Sequence, residues 1–474
     1  MPRKDKQITL ENITIEAVAA EGKAIAHVDG LVLFVPFAVP GDVVNVKAVK
    51  KRNYMEGYIT EIVKPSAKRL EPFCRHFGTC GGCKWQPLPY SDQLEAKRRQ
   101  VYDQLVRIGH LDVPEIKPVL GSEKTLFYRN KLEFSFSSRR WIEFGEDPES
   151  VPDKEKVGLG FHVGRFFDKV LDIKKCWLQP EPSNAIRLFI KDFAVKNNLS
   201  FYDIRANEGY LRNMFVRCNS AGEFMLIICF GYEDSHARTT LLDAVAEEFP
   251  QIISLYYVIN KKHNDSISDQ QCILYKGKDC LIEKMENLTF KIGPKSFYQT
   301  NNEQACRLYG VVRDFAGLSG KEVVYDLYTG TGTIAQFVSS KASKVIGIEY
   351  VPEATEDAEE NVKINGISNC EFFAGDMKDI LTAGFISRHG QPDVIILDPP
   401  RAGIHPDVAK VILDAKPSVI VYVSCNPASQ ARDLAILCTD YRITDVQPVD
   451  MFPHTHHIEN VCRLTRKDNE DKEC

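Results

Sequence analysis

The chain has 474 residues, 44% of them apolar and 26% charged, with a formal net charge of −5. That length exceeds one ordinary core and predicts two or three domains, and no run of about 18 apolar residues marks a membrane span. The acidic sum argues against a general nucleic-acid coat, although residues 84–140 gather Lys84, Lys97, Arg98, Arg99, Arg107, Lys117, Lys124, Arg129, Lys131, Arg139 and Arg140 into one basic stretch. The charged start Met1-Pro2-Arg3-Lys4-Asp5-Lys6 leads into no apolar segment of signal-peptide type, so a cytoplasmic location is expected. Fourteen cysteines in a long cytosolic chain read as metal ligands, catalysis and ordinary burial rather than disulfides.

Residues 8–63 alternate short β-rich runs with turn signals. The runs are Ile8–Ile15, Leu31–Val35, Val43–Val49 and Tyr58–Val63, punctuated by Asp29-Gly30 and Pro40-Gly41-Asp42. Short strands at close spacing predict a small OB-type β-barrel, closed by Pro65. The segment Gly22-Lys23-Ala24-Ile25-Ala26-His27-Val28-Asp29-Gly30, with Val35-Pro36 and Pro40-Gly41-Asp42 after it, resembles a TRAM domain. The resemblance implies an RNA-binding barrel over residues 1–64; a barrel without a ligand is the alternative.

Next comes Cys74-x5-Cys80-x2-Cys83, three soft donors on a loop that Gly78, Gly81 and Gly82 allow to wrap. Thiolates so spaced select zinc or an iron–sulfur cluster, and three of them want a fourth. The spacing differs from the Cys-x3-Cys-x2-Cys of a radical enzyme. A helix is predicted from Asp92 to Gly109, with Asp92 as its cap and Glu95 three residues on. Leu94, Val101, Leu105 and Ile108 share one face, while Lys97, Arg98 and Arg99 begin a basic face turned to phosphate or to solvent. The central domain, 65–285, is mostly strand-like after residue 125, as in Lys131–Ser137, Phe215–Cys218, Met225–Phe230 and Ser254–Ile259, and in that later stretch only Cys176 offers candidate chemistry.

From about residue 322 the pattern becomes alternating strand and helix. Val323–Leu327, Lys344–Ile348, Asp393–Leu397 and Ser418–Val423 are compact apolar runs of buried parallel type, with helical spacers such as Ala354–Asn365. They predict a doubly wound α/β domain over 286–466, followed by a tail, 467–474. Its first strand runs into Tyr328-Thr329-Gly330-Thr331-Gly332-Thr333, a glycine turn that admits a ligand close to the backbone, and Glu349 follows Gly330 by 19 residues at the end of the next strand. Ala335 stands where a dinucleotide fingerprint wants its third glycine, and no Gly-Lys-Ser/Thr of a P-loop is present. Asp-x-x-x-Gly-x-Gly, the acidic clamp and Asp398-Pro399-Pro400 resemble class I S-adenosylmethionine-dependent methyltransferases.

Beyond the fourth and fifth strands lie Asp398-Pro399-Pro400-Arg401-Ala402-Gly403 and Ser424-Cys425-Asn426-Pro427, both at the rim where open α/β sheets bind ligands. A cysteine beside a methyl donor suits alkylation of uracil C5, a poor carbon nucleophile that becomes a good one once a thiolate adds to C6. The thiolate requires help against a free-thiol pKa of about 8.5, and a carboxylate is needed for the C5 proton. Glu459, in Phe452-Pro453-His454-Thr455-His456-His457-Ile458-Glu459-Asn460, is the candidate base, with the three histidines read as surface or positioning groups rather than metal ligands.

Together with Phe297-Tyr298-Gln299-Thr300-Asn301, these motifs resemble, in order and along essentially the whole chain, the RNA uracil-5-methyltransferase family. The resemblance implies Cys425 as nucleophile and Glu459 as base, with Gln299, Tyr328, Thr333, Glu349, Asp376 and Asp398 at the cofactor site. Thr329 and Thr333 depart from the residues usual in the family. It also implies a [4Fe-4S] cluster on Cys74, Cys80, Cys83 and Cys176, structural or RNA-recognising, and action on 23S ribosomal RNA; a monomer is the default expectation, since the sequence does not encode oligomeric state legibly. The alternatives are a transfer-RNA uridine methyltransferase, zinc or no metal on the cysteines, an amino-methyltransferase and a non-catalytic RNA-binding module. Arg401 stands where an amino-methyltransferase places a base-stacking aromatic.

Overall fold

The computed structural model describes residues 7–143, 145–164 and 166–468. The N-terminal barrel consists of β1 (Gln7–Thr14), β2 (Ala17–Val18), β3 (Lys23–Val28), β4 (Leu31–Pro36), β5 (Val43–Lys50) and β6 (Tyr54–Lys64), in the order β1-β5-β6-β4-β3-β2. Period-two patterning drives it: Val44, Val46 and Ala48 of β5 turn inward onto Ile15, Leu33, Val35 and Met55, and the residues between them face out. The Gly22–Gly30 segment, matched above by motif rather than by pattern, supplies β3.

The helix α1 (Tyr90–Tyr102) starts two residues before the predicted cap and passes into a wider π turn, Asp103–Ile108. Pro89 occupies the cap position with no side-chain hydrogen bond. Asp92 instead pairs with Lys68 at 2.9 Å. The predicted basic face is also corrected: Arg98 and Arg99 are partly exposed, but the Lys97 side chain is completely buried, 2.5 Å from Asp450.

The central sheet is built from β7 (Lys131–Ser137), β8 (Gly158–Val163), β9 (Phe166–Asp172), β10 (Leu211–Cys218), β11 (Phe224–Phe230), β12 (Ile252–Ile259) and β13 (Ile273–Gly277), in the order β13-β12-β11-β10-β7-β8-β9. Every residue of β10 and β11 is buried; β11 is apolar throughout, whereas β10 also buries Arg212, Asn213 and Arg217. The stretch read as mostly strand-like also contains two helices, α2 (Ser183–Lys196) and α3 (Ser235–Glu248). Their signal was present: Ile186, Ile190 and Ala194 form one buried stripe at helical spacing, as do Leu241, Leu242 and Val245.

A hairpin, β14 (Leu281–Met285) and β15 (Leu288–Ile292), leads to α4 (Asn302–Ala316), which Asn301 caps by accepting from the Gln304 N–H and Gly317 ends at φ 62°. The last sheet comprises β16 (Val323–Leu327), β17 (Lys344–Glu349), β18 (Cys370–Ala374), β19 (Val394–Leu397), β20 (Val419–Ser424), β21 (Tyr441–Val449) and β22 (Glu459–Arg466). Its order is β18-β17-β16-β19-β20-β22-β21; the first five run parallel, and β22 is antiparallel to both neighbours. Alternate residues feed two cores. Val324, Val345, Ile396 and Val421 meet α4 and α5 (Thr333–Ser339), near α6 (Pro352–Ile364). Leu327, Ile348, Leu397 and Tyr422 meet the other side, covered by α7 (Met377–Ile380), α8 (Ala383–His389), α9 (Pro406–Ala415) and α10 (Pro427–Leu437), together with Val101 and Leu105. The doubly wound domain is as the apolar runs predicted.

Candidate active site

All the motifs of the doubly wound domain emerge at the carboxyl edge of this sheet. After β16, the chain turns through Tyr328, Gly330 and Gly332 at φ 66°, 56° and 71°. Gly332 is required by packing as well, since a Cβ there would lie 2.8 Å from the Phe372 ring and 2.9 Å from Ala358. Glu349, at the end of β17, accepts the Gly330 N–H on one oxygen (2.9 Å) and the Val351 N–H on the other (3.0 Å). Each oxygen keeps a lone pair for a ribose hydroxyl.

Of the other residues expected to bind the cofactor, Tyr328 and Thr333 belong to this turn. Tyr328 is half-buried, and its phenol is pushed up to about 12 by burial and by the charges of Asp433 and Asp376. Asp376 caps α7 through the Lys378 N–H. Thr333 opens α5, buried, with its hydroxyl 3.3 Å from that of Thr331, which in turn reaches the Phe297 carbonyl. Gln299 is half-buried; its carbonyl accepts from Asn130 Nδ2 at 2.9 Å. Beneath them, Asp326 accepts from the Thr329 hydroxyl (2.5 Å) and the Ala335 N–H (3.0 Å), and burial pushes its carboxyl up to about 7. Burial does the same to Asp398, also to about 7.

The antiparallel strand brings the chemistry together. Ser424, the last residue of β20, pairs with Asn460 of β22, so Cys425 and Glu459 each adjoin this pair along the chain. Cys425 is partly exposed and leads into α10, whose cap Asn426 accepts from the Ala428 N–H. Its thiol is pushed up to about 11 by burial and by the charges of Glu459 and Asp398, with Arg401 opposing. The buried Glu459 carboxyl is pushed far above the usual carboxylate range by burial and Asp398, and Arg401 again opposes. Arg401 is held by its carbonyl, which accepts from Asn426 Nδ2 at 3.0 Å, and its guanidinium lies 3.4 Å from His457 Nδ1.

Sequence reasoning missed Asp433. Fully buried on α10, it accepts from the Tyr422 hydroxyl (2.6 Å) and the Ile404 N–H (2.9 Å), which fixes the Arg401 turn. Gly403 was the available signal, because a Cβ there would sit 2.2 Å from an Asp433 oxygen. The histidines serve position rather than surface: burial pushes His454 and His457 down to about 4, so both are neutral.

Cys74, Cys80, Cys83 and Cys176 line one cavity of about 190 Å³ with His76, Phe73, Phe161 and Trp177. Burial pushes Cys80 up to about 11 and Cys83 up to about 12, and the neighbouring thiols add to the rise in both. His76, also missed, is buried and accepts the Lys174 N–H at 2.9 Å, tying the cysteine loop to the Cys176 segment. Among the described residues, no three His, Cys, Asp or Glu side chains are grouped as donors to a single metal ion. No helix among them is long and apolar enough to cross a membrane.

The chain is similar to known proteins along its length. A family model described as tRNA (Uracil-5-)-methyltransferase matches residues 271–467, and a TRAM domain model matches residues 9–59. An uncharacterized RNA methyltransferase of Bacteroides thetaiotaomicron is 56% identical over 451 residues, 94% of this chain and 99% of its own. One of Porphyromonas gingivalis is 56% identical over 460 residues, 95% of this chain and 99% of its own. The crystal structure of the Pyrococcus abyssi tRNA (uracil-54, C5)-methyltransferase in complex with S-adenosyl-L-homocysteine is similar, with a TM-score of 0.73 and 27% identity over 96% of this chain and 100% of that one. The chain belongs to the RNA uracil-5-methyltransferase family and is a TRAM-bearing, S-adenosylmethionine-dependent RNA methyltransferase.

Proposed function

We propose that this enzyme methylates carbon 5 of a uridine in 23S ribosomal RNA, with Cys425 as nucleophile and Glu459 as base. The observation that supports the reading is the Ser424–Asn460 register, together with the rise of the Cys425 thiol in the charge of Glu459. Cys425 first loses its proton to solvent; the thiolate then bonds to uracil C6, and the C5–C6 π electrons shift toward C5, which attacks the methyl carbon of the sulfonium and releases the neutral thioether. Glu459 then takes the C5 proton, the C5=C6 bond re-forms and sulfur departs as thiolate. Glu349 orients the donor ribose, with Gln299, Tyr328, Thr333, Asp376 and Asp398 around it. A cationic sulfonium suits a pocket whose buried acids are held up by lack of compensating charge.

RNA carrying 5-fluorouridine tests this. Fluorine cannot leave as a proton, so a denaturation-resistant adduct is expected with the wild type and none with Cys425→Ala. No adduct with the wild type would leave an amino-methyltransferase as the better reading. A transfer-RNA substrate is favoured by one observation, the end-to-end similarity to an enzyme named for uracil-54 of tRNA. Mapping 5-methyluridine in ribosomal and transfer RNA from a deletion strain separates the two.

We read Cys74, Cys80, Cys83 and Cys176 as ligands of a [4Fe-4S] cluster rather than of zinc. A single zinc would draw its sulfurs to about 2.3 Å from one point, whereas these four wall a cavity of about 190 Å³. Cys74, Cys80, Cys83 and Cys176 would hold the cluster, which would brace the loop and supply no step of methyl transfer. Purified enzyme is expected to contain iron and labile sulfide in equal amounts, both lost in Cys80→Ser.

A further inference from the structure

The β21–β22 connection, residues 450–458, delivers Glu459 to the reacting edge, and α1 grips it at successive points. Lys97 Nζ donates to Asp450 Oδ1 at 2.5 Å and to the Phe452 carbonyl at 3.1 Å. The Tyr90 hydroxyl donates to the other Asp450 oxygen at 2.9 Å. Gln93 Oε1 accepts the His454 N–H at 2.9 Å, and its amide nitrogen is fixed by the Trp85 and Leu88 carbonyls at 3.0 and 2.9 Å. Tyr90, Gln93 and Lys97 follow at three- and four-residue spacing, so one face of α1 makes every contact.

The chemistry of this grip exceeds what anchoring requires. An apolar pair of similar volume would hold the connection at equal or lower cost, because a buried ion pair must be stripped of water. What directed hydrogen bonds add is a fixed placement of the backbone. Asn301 and Tyr128 hold the same connection at the Met451 and Pro453 carbonyls, both at 3.1 Å, so its fold does not depend on α1 alone.

We propose that Lys97 and Gln93 of α1 are positioning residues for Glu459, setting the 450–458 connection so that the carboxylate meets the C5 proton. The inference rests on the reading of Glu459 as base. It singles out one step: methyl transfer needs Cys425 and the donor, whereas release needs Glu459 to take the C5 proton as the C6–S electron pair returns to sulfur.

The test uses Lys97→Met, Gln93→Met and Glu459→Gln in full-length enzyme, each first checked by thermal unfolding. Single-turnover reactions with substrate RNA and methyl-labelled donor count methyl transferred, free product and covalent RNA–protein adduct. In the two α1 variants, transfer is expected to stay within about threefold of wild type while release slows on the order of 100-fold, the loss that a displacement of about 1 Å brings. A methyl-bearing adduct therefore accumulates. Equal loss of transfer and release, without adduct, overturns the positioning role. Glu459→Gln leaves the grip intact and should trap the same adduct; if it does not, the assignment of the base fails instead. If Lys97→Met does not fold, Gln93→Met, which removes no charge, decides.

Discussion

On the β16–β17 half of the catalytic edge, Glu349 is met by two backbone N–H groups. On the β19–β20–β22 half, Asp398 and Glu459 are buried; lost hydration raises both carboxyls, and the charge of Asp398 raises Glu459 further. The contrast teaches how one sheet serves two tasks. A carboxylate met by peptide donors has its oxygens aimed for a ligand, while carboxyls buried without such donors are held toward the proton-bearing form.

The comparison breaks first at Cys425. Cys425→Ala is expected to reduce methylation to background while leaving RNA binding, measured by filter retention, largely intact. Glu349→Gln, on the other half, should raise the donor KM roughly 10- to 100-fold through weakened charged hydrogen bonds and leave kcat nearly unchanged; an equal fall in kcat would merge the two halves into one function.

Two pH experiments sharpen the contrast. Alkylation of Cys425 by iodoacetamide should rise about tenfold per pH unit below its raised pKa, with the midpoint near 11. Glu459→Gln should move that midpoint down and Arg401→Gln should move it up, since one removes a raising charge and the other a lowering one. The smallest effect concerns donor affinity. Asp398 of the free enzyme titrates near 7, and a bound cation favours its charged form. Affinity should therefore climb with pH up to about 7 and level above it, with a flatter profile in Asp398→Asn, read by calorimetry.

Much of this edge is legible in the amino-acid sequence. Buried parallel strands announce themselves as apolar runs, and the glycine turn, Asp398-Pro399-Pro400 and Cys425 each follow one. What stayed hidden depends on partners far away in sequence. Lys97 read as part of a basic face because Asp450 lies 353 residues on, and nothing local marks a lysine as buried. Asp92 read as a cap because its spacing to Glu95 was right, yet the helix had already begun at Tyr90. The helices α2 and α3 were legible and were masked by the strong strand signals around them.

The Lys97–Asp450 pair also carries a timetable. Ribosomes add about 5–20 residues per second, so the 353 residues between the two take roughly 20 to 70 s to appear. Throughout that interval the nascent α1 holds an ammonium whose eventual niche does not yet exist, and it must stay hydrated. Maturation of the enzyme is thereby tied to translation of its final strands, and a chain that stalls before residue 450 cannot close its N-terminal half around this lysine.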